Sequence, residues 1–291
     1  MEAKILFERF LFGEGNEIFI DDIDFCVDRI IMLPKIRPHQ LENAVYLSVE
    51  YCKLADFRRK LLEKSNECPV LIYQLHKRGI LLFEEIKPFL NVKDTFLLSY
   101  YFWKEINDFE IFIKSKHKPD DFDESFFKDT NDVDQYIEYG YLPSSIEYCL
   151  KYDVIDDLVI LDNSNQEAKW SPFEWSIKPE YLNFMSFCGF FGSIKCFKYL
   201  LMKGFVIKEY VFSMVICSGC LDLFHLCQRQ QFLTSESICR ASEFFHQPLL
   251  GFMIENGADV NSKNKSIDFL YLIILLFILL LQKVILVFLN I

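Results

Sequence analysis

Glycine is scarce, at 10 of 291 residues, and proline numbers only 9. A turn-rich β fold needs many positions that accept positive φ, whereas helix interiors are weakened by glycine, so the shortage points to helices. Basic residues are also in deficit: 31 Lys and Arg stand against 42 Asp and Glu, for a formal net charge of −11. That balance repels phosphate backbones unless cations are segregated into a patch. The densest basic run, Arg58-Arg59-Lys60, is short and flanked by acids, so no nucleic-acid partner is expected. The first ten residues, Met1 to Phe10, contain acids and no long apolar run, and do not read as a secretory signal. Ten scattered cysteines in that context read as reduced, buried thiols of a cytoplasmic protein. The chain also lacks a P-loop, a Gly-x-Gly-x-x-Gly and a Gly-x-Ser-x-Gly, and its five histidines lie far apart. Neither an enzyme nor a bound cofactor is expected.

Apolar residues make up 52% of the chain, with 31 Phe and 14 Tyr, enough to bury a sizeable core. Four regions separate: a helical domain over 1–115, an acidic connector over 116–140, helix-pair repeats over 141–262 and a hydrophobic tail over 263–291. In the first, Ala44, Leu47, Tyr51, Leu54, Phe57 and Leu61 recur at spacings of three and four and predict one helical face. Pro34, Pro38, Pro69 and Pro88 fall where helices would end. The connector holds Asp120, Asp121, Asp123, Glu124, Asp129, Asp132, Asp134 and Glu138. A calcium loop of the helix-loop-helix kind needs a central glycine and a closing glutamate. No window here has that glycine, so the stretch reads as solvated, with a helix beginning at its end.

Within 141–262 three segments superpose at nearly equal offsets: Cys188 to Gly204, Val215 to Gln228, and Ala241 to Asn261. Phe197, Phe224 and Leu250 coincide, as do Leu200, Cys227 and Met253, and Gly204 falls on Gly257. Each unit reads as a helix, a tight turn, a second amphipathic helix burying Ile194, Phe197, Leu200 and Leu201, and a glycine stop. A fixed period of this size is the signature of stacked repeats. The repeat-defining positions are Gly192, Gly204, Gly219, Gly257, Ala258, Asp259 and Asn261.

The run Gly257-Ala-Asp-Val-Asn261, preceded by Phe252-Met-Ile-Glu-Asn256, resembles the end of an ankyrin repeat. The likeness extends to Tyr199-Leu-Leu-Met-Lys-Gly204, and the glycine stop recurs at Gln74 to Gly79 and Gln135 to Gly140. Residues 20–261 resemble an uncharacterised helical domain that precedes ankyrin arrays in large protist (trichomonad-like) expansions, through Cys68 to Ile80 and Cys217 to Phe224. The units are shorter than the usual ~33 residues, the first-helix Thr-Pro-Leu-His is absent, and Gln231 replaces one terminal glycine. The resemblance implies an all-α solenoid of degenerate ankyrin-like helix pairs. It implies a non-catalytic scaffold for an unidentified protein partner, and carries no catalytic residue.

Cys217-Ser-Gly-Cys220 lacks a second paired motif and reads as core cysteine rather than a zinc site. Trp103, Trp170 and Trp175 read as core or rim anchors, the last two marking an insertion between repeats. Finally, Phe269 to Leu281 is an unbroken apolar run, and after Gln282-Lys283 it resumes to Leu289. Three readings stay open: a membrane tail anchor through 269–289, the scar of a truncated longer ankyrin protein without function, and a buried core helix.

Overall fold

The computed structural model describes residues 23–36, 41–91, 95–118, 132–161, 167–174, 178–179, 182–228, 237–238, 240–241, 244 and 246–256. These residues are helical apart from their connections and one isolated antiparallel bridge, Glu167 to Asn183. Among them no strand forms, so the fold is all-α. They fall into two compact units: 1–144 with 170–178, and 145–169 with 179–291.

Unit 1 contains α1 (Ile23–Ile36), α2 (Leu41–Tyr51), α3 (Ala55–Glu63), α4 (Pro69–Lys77), α5 (Phe83–Leu90), α6 (Phe96–Tyr101), α7 (Phe109–Lys114) and α8 (Val133–Tyr139). Pro69 opens α4 at a position whose N–H no helical carbonyl needs. Gly140 closes α8 with φ +80, which glycine adopts without Cβ strain. Pro34 and Pro88 lie inside the last turns of α1 and α5. Alternate helices pack together: α2 on α4 and α4 on α6, with α3 on α5 beside them. The first-row helices begin at Leu41, Pro69 and Phe96, and the second-row helices at Ala55 and Phe83. A helix pair therefore recurs at a nearly constant interval, as it does in the segments of the C-terminal half. The core runs through Val27, Ala44, Phe57, Leu61, Leu71, Leu75, Ile86 and Phe102.

The face predicted over Asn43 to Glu63 divides into two helices. Leu54 becomes the exposed residue before α3 instead of a core position. The break is held by Arg58, whose Nε donates to the Cys52 carbonyl at 3.1 Å, satisfying an oxygen that a continuous helix would have used. The acidic connector also changes character at its end. On α8, Glu138 meets Lys77 at 2.9 Å, and Asp134 receives the Trp103 indole N–H at 3.2 Å and an ion pair from Lys104. These bonds make α8 part of unit 1.

Unit 2 contains α9 (Ile146–Tyr152), α10 (Ile155–Leu161), α11 (Phe184–Phe191), α12 (Ile194–Met202), α13 (Glu209–Ser218), α14 (Leu221–Gln228) and α15 (Gln247–Glu255). Here too α9 packs on α11 and α11 on α13, while α10 packs on α12. The closest contact, α11 against α13, depends on Gly189. A Cβ there would lie 3.1 Å from the Val215 side chain and 3.3 Å from the Val215 nitrogen. On α12 the buried residues are Cys196, Phe197 and Leu200, whereas Ile194 and Leu201 are only half-buried. The buried stripe is thus rotated toward the small thiol. No described helix is long and apolar enough to cross a membrane. Gly257, Ala258, Asp259, Asn261 and the apolar stretch 269–289 lie outside the described residues.

Candidate functional site

The helix pairs of unit 2 turn on two residues each. The first residue of each turn is left-handed: Asp153 (φ +60), Gly192 (φ +75) and Gly219 (φ +67). The second is Val154, Ser193 or Cys220, after which the next helix begins. The second helices start at Ile194, Leu221 and Gln247, positions separated by the same offsets that superpose the sequence segments.

These turns are bonded to one another. Ser193 Oγ donates to the Lys151 carbonyl at 3.2 Å. His246 Nε2 lies 2.7 Å from the Cys217 carbonyl, so that nitrogen carries the proton and donates. Ser193 and His246 each stand just before a second helix, and Lys151 and Cys217 each lie two residues before a left-handed turn residue. The same bond therefore occurs at two junctions, between the α9–α10 and α11–α12 pairs and between the α13–α14 pair and the residue before α15. A further link replaces a missing cap: Ser193 makes no side-chain cap for α12, and Asp153 of the preceding turn accepts from Cys196 N at 2.8 Å and Lys195 N at 3.1 Å.

Three of the sequence-predicted positions fall on this framework. Gly192 packs 3.5 Å from the Cys220 side chain, counted from the Cβ it lacks, and a Cβ on Gly219 would lie 2.2 Å from the His246 imidazole. Gly204 closes α12 with φ +92 and has open space around it. Asp153 is the turn residue that sequence reasoning misses. It is not a glycine, and α10 starts at Ile155, too far before Ile194 of α12 to fit the repeat period. Asparagine and aspartate also tolerate the left-handed region, and the Asp-Val pair before Ile155 is the available signal.

Burial suppresses the thiolate at five of the described cysteines. Burial pushes Cys52, Cys68 and Cys149 up to about 11 and Cys227 up to about 12. Cys188 is raised by complete burial and by its hydrogen bond with Cys196, whose Sγ reaches the Cys149 carbonyl at 3.4 Å. Of Cys217-Ser-Gly-Cys220, the first thiol is buried and the second sits in the turn, while His225 on α14 is exposed and Cys227 is buried. Among the described residues no group of three or more His, Cys, Asp or Glu comes together to hold a metal.

Unit 1 has a cleft of about 500 Å³ between α3 and α5, lined by Cys52, Lys53, Ala55, Arg58, Arg59, Leu62, Glu85 and Phe89. Arg58 pairs with Glu85 at 2.9 Å, and Glu85 also accepts from Leu82 N at 2.8 Å. Lys53 is matched by Glu50 at 2.6 Å and Arg59 by Glu63 at 2.7 Å. The lining charges are thus internally compensated, and the thiol in the wall is protonated at neutral pH. Unit 2 also exposes large apolar side chains: Ile160 on α10 is 80% exposed and Met202 on α12 is 79% exposed, and Val159 and Val206 are exposed as well. No family model matches this chain, and neither does any curated protein or solved structure.

Proposed function

We propose that the chain is a non-catalytic protein-binding scaffold, a stack of degenerate helix pairs of ankyrin-repeat type. The observation that carries this reading is the repeated turn-to-turn bond, Ser193 to Lys151 and His246 to Cys217. It holds neighbouring pairs in register through main-chain oxygens, and leaves the second-row side chains free for a partner. Those helices carry the exposed Ile160 and Met202. Apolar side chains held on a rigid frame are what a protein interface buries at its centre. The ankyrin type is degenerate: only the short run 203–208 connects α12 to α13, too little chain for the long hairpin of a standard repeat.

The test is site-specific photo-crosslinking in the native cell. A photoreactive residue at 160 or 202 is expected to trap a discrete protein adduct. The same residue at Lys198, exposed and polar on α12, is expected to trap none. Equal labelling at all three positions, or no adduct at any, sinks the scaffold reading.

A further inference from the structure

Two neighbouring second-row helices of unit 2 carry opposite charge. From Ile155 to Glu167 the sequence holds four acids and no Lys or Arg, and from Tyr181 to Lys208 it holds four lysines and no acid. The first run supplies α10 and the second α12, and these two helices pack side by side. Asp156 and Asp157 are exposed in the first turn of α10, and Lys195 is exposed on α12. Among the described residues no ion pair reaches any of the three. In unit 1, by contrast, exposed cations meet carboxylates within the chain: Lys77 reaches Glu138 at 2.9 Å, Arg59 Glu63 at 2.7 Å and Lys53 Glu50 at 2.6 Å.

Each charged strip borders an apolar side chain that stands in solvent. A four-residue step puts Asp156 and Ile160 on one face of α10. On α12 the same step runs from Lys195 to Tyr199 to Lys203, with Lys203 Nζ over the Tyr199 ring at 5.5 Å. Met202 borders this stripe, and Lys198 lies on the other side of Met202, outside it. Ile160 is 80% exposed and Met202 79%. A single exposed apolar residue is ordinary. Two on adjacent helices, each flanked by charge of opposite sign, have the pattern of an interface, an apolar centre with a charged rim.

We propose that this face of unit 2 binds the same face of a second copy of the chain. A two-fold axis lays α10 of each copy on α12 of the other, so every contact is made twice. The acids of one copy then meet the lysines of the other, and Ile160 and Met202 are covered together. A nucleic acid or an anionic bilayer would be drawn to the lysines and repelled by the acids beside them. A foreign protein would have to present both signs in the reverse order, which a second copy does by symmetry. The inference rests on the scaffold reading and names the partner of the same surface.

Full-length chains carrying two different epitope tags are co-expressed, and one is isolated in a neutral detergent that keeps the apolar stretch 269–289 in solution. The second tag is expected to accompany the wild type. Its recovery is expected to fall about tenfold when both copies are Asp156→Lys/Asp157→Lys, or both are Lys195→Glu/Lys203→Glu, because like charges then face each other. One copy of each variant reverses both sides of the contact, and recovery is expected to return to about the wild-type level. Helical content and a cooperative melt confirm that each variant folds. Recovery indifferent to the reversals, as association through 269–289 would give, overturns the proposal. So does absence of the second tag from the wild type, or a mixture of folded variants that is not restored. If a reversed variant does not fold, the wild type is isolated at low and high salt: a fall of about fivefold supports the charged contact, and unchanged recovery overturns it. Photo-crosslinking at 160 or 202 separates the two readings. An adduct of twice 34.6 kDa is a second copy. Adducts of other masses alone overturn the second copy and leave the scaffold standing.

Discussion

Gly219 and Gly204 make nearly the same backbone demand in different surroundings. Both have positive φ, but a Cβ on Gly219 would lie 2.2 Å from the His246 ring, whereas one on Gly204 would meet nothing within 4 Å. Gly204→Ala is therefore expected to cost about 1 kcal/mol, the left-handed penalty alone. Gly219→Ala is expected to cost about 3 kcal/mol or more, because the ring must leave the Cys217 carbonyl. Urea unfolding of both variants checks this. His246→Ala in the Gly219→Ala background is expected to recover part of the loss, and strictly additive losses would remove His246 from the account. The thiols give a second test at this scale. Of the nine described cysteines only Cys220 is not buried, so iodoacetamide at neutral pH is expected to modify it first. Mass spectrometry of the native protein reads this directly, and early adducts on Cys188 or Cys196 would contradict the packing.

At the scale of the helix, Asp153 does two things at once, holding a left-handed turn and capping α12. The two are separable. Asp153→Gly keeps the turn and loses the cap, for a cost of about 1 kcal/mol, while Asp153→Ala loses both, for about 2 kcal/mol. Equal losses would mean that the left-handed turn contributes nothing, and an Asp153→Gly variant as stable as the wild type would mean the same of the cap. Between α3 and α5, the Leu82 N–H is the main reason Glu85 lies below the usual carboxylate range; Arg58 adds to it and desolvation opposes it. A depressed folded-state pKa contributes stability that is complete above the unfolded value and disappears as pH falls through the folded one. Glu85→Gln is therefore expected to lower stability by about 0.5–1 kcal/mol at neutral pH and to flatten the acid limb of the stability curve. An unchanged limb would assign acid sensitivity elsewhere.

The helix scale also shows what can be read in the residues. The repeat spacing of unit 2 is visible because Gly192 and Gly219 mark equivalent turns and Phe197 and Phe224 equivalent core positions. The similar spacing in unit 1 is marked only by the glycine stops at Gly79 and Gly140. Its connections, Cys52 to Leu54, Arg78 to Leu82 and Phe102 to Asp108, differ in length, and only the second contains a glycine. The helix break at Leu54 depends on a side chain from the next helix, Arg58, reaching back to a carbonyl. Local periodicity carries no trace of that bond.

For the whole molecule, residues 170–178 read as an insertion between repeats, and their return to unit 1 is not legible in the sequence. Phe173 finds Tyr100, Tyr101 and Tyr136, all remote along the chain, and nothing local specifies such a pairing. The stretch Phe269 to Leu289 raises the opposite case, in which sequence is the stronger guide. Its length matches the ~20 residues that span a bilayer. Lys283 carries a cost of roughly 3 kcal/mol at a bilayer centre, against about −0.5 kcal/mol for each of many leucines and isoleucines, and lies past the midpoint where its ammonium can reach the headgroups. The full chain is accordingly expected to float with neutral phosphatidylcholine vesicles and to resist release by high salt, while a chain ending at Asn264 stays in the aqueous fraction. Salt-extractable binding would point to surface charge instead. A full chain that remains monomeric and vesicle-free would mean that the apolar stretch is covered by protein, and the tail-anchor reading would fail.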